Sequence, residues 1–144
     1  RIGYVVVNPA IENAKQLVAG IIFSARVLGF VNAPSLFQKV VAEHLDLATG
    51  VDSYKERRDV LYGILREAGF ECTLPGGAFY LFVKSPDPDD AAFAQAALRR
   101  NIIVVGGTGF GYPGYFRLAY CVSMETIKNS REAFLALGKE YHLK

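Results

Sequence analysis

The residue best placed to do chemistry is Arg117, which stands alone among apolar and aromatic neighbours in the run YFRLAYCV at residues 115–122. Strand alternation puts Phe116, Leu118 and Tyr120 on one face and Tyr115, Arg117, Ala119 and Cys121 on the other. A guanidinium in a half-buried strand cannot shed its proton, so it needs an anion. That anion is either an internal carboxylate, the commoner arrangement for an arginine in a folded chain, or a ligand. The loop before it, residues 106–114, carries five glycines and a proline. Gly107-Thr108-Gly109-Phe110-Gly111 invites comparison with a dinucleotide-binding turn, but that motif must open a helix whose N-terminus holds the pyrophosphate. Here Pro113 and a β-rich run follow, so nucleotide binding by the loop is not expected.

The elements that must position Arg117 follow from hydrophobic periodicity. Residues 101–105 read as a short buried strand and 115–122 as a second one. Upstream, Ser53 with Glu56 makes a capping box for a helix that carries Tyr54, Leu61, Leu65 and Ala68 on one face and stops at Gly69. Lys55, Arg57, Arg58 and Asp59 fall on its other side, which reads as a solvated face. Residues 70–74 form a short strand, Pro75-Gly76-Gly77 a turn and residues 78–83 a strong strand. The loop from Ser85 to Asp90 has N-cap character and feeds an alanine-rich helix over 91–100. Ser123 caps a last helix over 124–138. From residue 50 onward the order is helix, strand, strand, helix, strand, strand, helix. This predicts an α+β fold in which helices cover a small, largely antiparallel sheet.

Residues 1–49 have a different character. Residues 2–7 form a near-continuous apolar run of the kind found in a strand covered on both faces, ended by Asn8-Pro9. Helical spacing over 11–27 stops at Gly29, and Pro34 opens a second helix through Leu47. A strand and two helices suggest the edge of an α/β layer whose other strands are absent. Thr49-Gly50 marks the boundary, giving domains of 1–49 and 50–144. Arg1 opens onto the first strand without an initiator methionine, which predicts a chain cut from something longer.

With 144 residues, 51% hydrophobic and 21% charged, the chain has enough apolar material for a core without staples. A formal net charge of +2, with lysines and arginines scattered, argues against nucleic acid as a partner. Cys72 and Cys121 have no CxxC spacing and no nearby histidine pair, so buried free thiols in a reducing cytoplasm are expected and a metal site is not. No apolar run reaches membrane-spanning length, and a signal peptide is not expected.

The motifs Arg1-Ile2-Gly3-Tyr4, Ala33-Pro34-Ser35, Tyr54-x-x-Arg57-Arg58-Asp59, Pro75-Gly76-Gly77-Ala78-Phe79-Tyr80, Gly107-x-x-Phe110-Gly111 and Gly114-Tyr115-Phe116-Arg117-Leu118 occur in this order. In this the chain resembles the C-terminal part of a class I/II aminotransferase, the aspartate aminotransferase-like, fold-type I enzymes that use pyridoxal 5'-phosphate. The resemblance implies that residues 1–49 are the last strand and helices of the large cofactor-binding domain and that residues 50–144 are the small domain. It implies that Arg117 grips the α-carboxylate of an amino-acid or 2-oxo-acid substrate, of aspartate or aromatic type, and that Arg1 contacts the cofactor phosphate. Asn32 falls in a loop that in the family approaches the active site of the other subunit of a homodimer. Tyr80 and Phe110 match positions near the substrate cleft, although aromatic residues in strands more often serve the core.

In the family the Schiff-base lysine precedes the arginine matched by Arg1, so no catalytic residue is expected in this chain. Lys15, Lys39, Lys55, Lys84, Lys128, Lys139 and Lys144 fall on polar helix faces, in loops or at the terminus, where a solvated amine is a poor nucleophile. The chain alone is therefore expected to be inactive. Two alternatives share the fold: an amino-acid-sensing domain of a regulatory protein, and a pyridoxal-phosphate lyase or synthase. A lysine just before Arg1 favours an enzyme, and an N-terminal DNA-binding helical domain favours the regulator.

Overall fold

The computed structural model describes residues 2–47, 50–77 and 79–143. The chain divides into two units, Arg1–Ala48 and Thr49–Lys144. Thr49 and Ala78, which belong to the predicted boundary and to the predicted strand over 78–83, lie outside the described residues.

In the first unit the predicted strand over 2–7 does not form, and the segment runs without ladder pairing. A strand needs a neighbour to take up its amides and carbonyls, and none is present among the described residues. Val5 and Val6 are consequently 71% and 78% exposed. Helix α1 (Ala14–Val27) begins later than its spacing predicts, after a turn that puts Asn13 at φ 61°. Helix α2 (Ser35–Glu43) starts directly after Pro34 and ends short of Leu47. Neither helix has a buried residue.

The second unit holds the core. Helix α3 (Val51–Glu67) starts before the predicted capping box, and Gly50 occupies the N-cap position. Ser53 sits inside the helix, where its hydroxyl donates to the Gly50 carbonyl at 2.9 Å, so it does not cap with Glu56. Gly69, with φ +91°, ends the helix as expected. Strand β1 (Tyr80–Lys84), helix α4 (Asp90–Leu98), strand β2 (Val105–Gly106), a 3-10 turn (Gly107–Phe110) and strand β3 (Tyr115–Ala119) follow. The sheet is antiparallel in the order β1-β3-β2, with Leu81 opposite Leu118, Phe82 opposite Arg117 and Val105 also opposite Arg117. The architecture is therefore the expected α+β one, with strands shorter than predicted: β3 ends at Ala119 rather than at residue 122. Residues 70–74 contribute a single bridge, Cys72 to Val83. Residues 102–104 keep the alternating burial of an extended chain, with Ile102 and Val104 inside and Ile103 79% exposed, but the ladder reaches only Val105 and Gly106.

Ser123 caps α5 (Met124–Asn129) by accepting from the Thr126 amide at 3.0 Å. The predicted single last helix is broken at Ser130, whose hydroxyl donates to the Ile127 carbonyl at 2.7 Å, and α6 (Arg131–Glu140) continues beyond the break. Burial separates the cysteines: Cys72 is half-buried and Cys121 exposed, both free. Cys121 shares the parity of Arg117 and so points away from the core, which corrects the expectation that both thiols are buried. No helix among the described residues is long and apolar enough to cross a membrane.

Four phenylalanines form the centre of this unit. Phe70 meets Phe93, Phe116 and Phe134 edge to face at centroid distances of 6.0, 5.8 and 6.1 Å. Gly138, read from the sequence as a helix end, lies in the last turn of α6 and is a contact residue: a Cβ there would lie 2.1 Å from the Ala68 carbonyl oxygen. Backbone cannot yield as a side-chain tip can, so Gly138→Ala should push α6 off the end of α3 and cost about 1–3 kcal/mol. Urea unfolding measures this, and an unchanged midpoint contradicts the close approach.

Candidate functional site

Arg117 emerges from the central strand of the sheet. Its neighbours Phe116 and Leu118 are buried at 0% and 6% exposure, which leaves Arg117 half-buried on the opposite face of the sheet. Its guanidinium carbon lies 4.2 Å from the centroid of the Tyr80 ring, on β1, and 4.4 Å from that of Phe110, in the glycine loop. Ring faces attract a cation but accept none of the guanidinium's five N–H donors in ordinary hydrogen bonds. The ion pairs among the described residues join Arg58 to Asp59, Lys84 to Glu71, Arg100 to Glu140, and Arg131 to Glu67 and Glu132. Of the two anions the sequence leaves open, an internal carboxylate therefore has no candidate among the described residues.

The rest of this face is aromatic. Phe82 stacks on Tyr115 at 5.6 Å with planes 8° apart and meets Tyr112 at 5.8 Å and Phe110 at 6.4 Å. These rings, with Thr73, Pro75 and Tyr80, line a shallow depression of about 520 Å³. An arginine with no carboxylate partner among the described residues, beside an apolar hollow, is suited to a small organic anion with an apolar body.

The loop that brings Phe110 to Arg117 is tied down by a residue that sequence reasoning passed over. Asp90, only 5% exposed, places Oδ2 within reach of the Thr108 hydroxyl at 2.8 Å, the Thr108 amide at 3.0 Å and the Gly114 amide at 3.2 Å, all three donating to it. The helix cap expected of this acidic stretch is made by Asp89, which accepts from the Ala91 and Ala92 amides. Gly107 is needed at its place because a Cβ would meet the Tyr112 carbonyl oxygen at 2.2 Å. The Asp90 carboxyl is held below the usual carboxylate range, first by the Thr108 hydroxyl and then by backbone amides, against burial that pushes it up.

Arg58, read from the sequence as part of a solvated face, is half-buried and donates to the Pro75 carbonyl at 2.8 Å as well as pairing with Asp59. It anchors the Pro75-Gly76-Gly77 turn and borders a separate hollow of about 390 Å³ with Tyr54, Phe79 and Tyr120. Arg58 is engaged there by Asp59 and the Pro75 carbonyl, and Lys55 and Asp52 also line this hollow, so its charges are mixed. Arg1 lies outside the described residues, as does Lys144. Asn32 is exposed in the segment between α1 and α2, in the first unit. No group of metal-binding side chains occurs among the described residues.

Comparison with known proteins gives this geometry a context. The family model for aminotransferase class I and II matches residues 1–134. The chain belongs to that family. Among solved structures, an amino transferase from Eubacterium rectale superposes with a TM-score of 0.91 at 42% identity, covering 98% of this chain and 35% of that one. Aspartate aminotransferase from Thermotoga maritima gives a TM-score of 0.74 at 25% identity, over 88% of this chain and 34% of that one. Aspartate/prephenate aminotransferase from Thermus thermophilus is 34% identical over 85 residues, 58% of this chain and 22% of the relative. The chain thus spans about a third or less of the length of these relatives.

Class I and II aminotransferases depend on pyridoxal 5'-phosphate. The described residues do not by themselves fit that cofactor. Lys15, Lys39, Lys55, Lys84, Lys128 and Lys139 are all exposed, and Lys84 donates to Glu71 at 2.9 Å, which raises its pKa away from the neutral amine that covalent attachment needs.

Asp90 offers a direct test of the loop anchor. Its pKa is lowered on folding, so its stabilising contribution is complete above the unfolded-state value of about 3.9 and disappears as pH falls through the lower folded value. Asp90→Asn should lower the melting temperature at neutral pH and flatten its dependence on pH below about 4. A variant that melts like the wild type across that range contradicts the anchoring role.

Proposed function

We propose that this chain is the carboxylate-binding part of a pyridoxal-phosphate aminotransferase that exchanges an amino group between an amino acid, of aspartate or aromatic type, and a 2-oxo acid. The observation that carries the reading is the state of Arg117: a half-buried guanidinium held by two rings, without a carboxylate partner among the described residues. Family membership supports an amino-acid or 2-oxo-acid carboxylate as that anion.

In this reading Arg117 receives the substrate α-carboxylate through two parallel charge-assisted hydrogen bonds, which fixes the substrate's orientation as well as its position. The aromatic face around it keeps water from competing for the guanidinium and strengthens the pairing. Residues 50–144 act as the small domain, closing over the substrate, and residues 1–49 belong to the large domain. Arg1 contacts the cofactor phosphate, and the Asn32 segment reaches the active site of the second subunit of a cytoplasmic homodimer. The cofactor, when bound, supplies the electron sink for the exchange, and the lysine that anchors it precedes this segment in the complete enzyme.

Variants at Arg117 in the complete enzyme test the reading. Arg117→Ala should leave cofactor binding intact while kcat/KM falls roughly 100- to 1000-fold, about 3 to 4 kcal/mol for a lost bidentate pair in a closed site. Arg117→Lys should recover only part, because an ammonium keeps the charge without the planar fork. Near-normal kinetics with a lowered melting temperature would instead mark Arg117 as a structural residue.

A further inference from the structure

We infer that Tyr80, Phe110 and Asp90 form a positioning device for Arg117: two rings hold the guanidinium, and Asp90 latches the loop that carries one of them. The inference rests on the reading of Arg117 as a carboxylate site and goes beyond it by assigning what makes the site ready before a ligand arrives.

An arginine side chain is long and rotamer-rich, and an anion that must first order it loses affinity to that ordering. Here the ordering is already present, since the guanidinium carbon lies over both rings, at 4.2 Å from Tyr80 and 4.4 Å from Phe110. Ring contacts take none of the guanidinium's N–H donors in ordinary hydrogen bonds, so these remain for a carboxylate to pair with bidentately.

The two rings differ in how they are secured. Tyr80 lies on β1, whose ladder with β3 runs from Tyr80–Ala119 to Lys84–Tyr115, so its place relative to Arg117 is set by the sheet. Phe110 stands in a glycine-rich loop outside the ladder, where its ring and that of Tyr112 pack against Phe82. Hydrogen bonds from the Tyr112 amide to Gly107 and from the Gly111 amide to Thr108, each 3.0 Å, shape the loop internally. Its tie to α4 is Asp90, whose Oδ2 takes the Thr108 hydroxyl and amide and the Gly114 amide, clasping the loop on both sides of Phe110. The chain of contact therefore runs from Asp90 through the loop to Phe110 and from Phe110 to Arg117. Asp90 does not touch the guanidinium in this arrangement and acts through the ring.

Arginine side-chain NMR on the 144-residue chain, titrated with maleate as the carboxylate probe, tests this. In the wild type the Arg117 Nε–H resonance should lie upfield of the other arginines, shielded by the rings, and should move on adding maleate. Phe110→Leu should abolish most of that shielding and weaken maleate by about two- to fivefold, the worth of one exposed cation–π contact. Phe110→Tyr should restore both. Asp90→Asn should reproduce the Phe110→Leu effect on shielding and affinity and add little in the double variant, because both remove the same contact. Thr108→Val, which deletes one of the latch bonds, should act in the same direction more weakly, and it serves if Asp90→Asn does not fold. An Arg117 resonance that responds to maleate but is unshielded, or an affinity unchanged in Phe110→Leu, overturns the positioning device and leaves the carboxylate reading standing. An Arg117 that is shielded but indifferent to maleate overturns the carboxylate reading and the inference with it.

Discussion

Side-chain alternation along β3 is the constraint on which the open face depends. Phe116 packs at 4.6 Å from Phe93 and 5.8 Å from Phe70, and its burial leaves the next residue no choice but the far side of the sheet. A slip of one residue would drive a guanidinium into the phenylalanine core and expose Phe116 and Leu118, a double cost that pins the register. Arg117 is thus aimed by residues it does not touch. The same alternation on β1 buries Leu81 and Val83 and sends Tyr80 and Phe82 to the arginine's side.

The charges of this chain divide by what satisfies them. Arg100 and Arg131 meet glutamates across exposed surface, pairs that contribute little to stability because water competes for both partners. Arg58 is more enclosed and spends its donors on a carboxylate and a backbone carbonyl, holding a turn. Arg117 is held by rings alone among the described residues, which stabilises the cation without neutralising it. Arrangements of this kind keep electrostatic work in reserve for an incoming group. Stability in this unit comes instead from the apolar cluster between helices and sheet.

Much of this was legible in the residues, and the failures have physical causes. The face of Arg117, the α+β order and the Ser123 cap follow from period-two alternation and local side-chain chemistry, which act over a few residues. Residues 2–7 have strand composition without a strand, because pairing is supplied by a neighbour and composition cannot supply one. Ser53 has the spacing of a cap but bonds backward to Gly50, an option open to any serine in a first turn. Gly138 looks like a helix stop and is a point of helix contact, which depends on where α3 ends. Asp90 was hidden among the acidic residues of a helix start. What singles it out is a set of partners 18 and 24 residues away. The two rings on Arg117 belong to the same class of feature, since one comes from a strand and the other from a loop.

The distribution of aromatic residues also gives the protein an optical property. The chain has no tryptophan and eight tyrosines, so its near-ultraviolet emission is tyrosine emission. Tyr80, Tyr112 and Tyr115 sit together on the open face, Tyr80 against the guanidinium and the other two within 4.7 Å of each other, centroid to centroid. A charge held over one ring and contacts among its neighbours make their excited states sensitive to whatever enters the depression. The molecule therefore carries its own unlabelled fluorophores at the place where a ligand would change their surroundings.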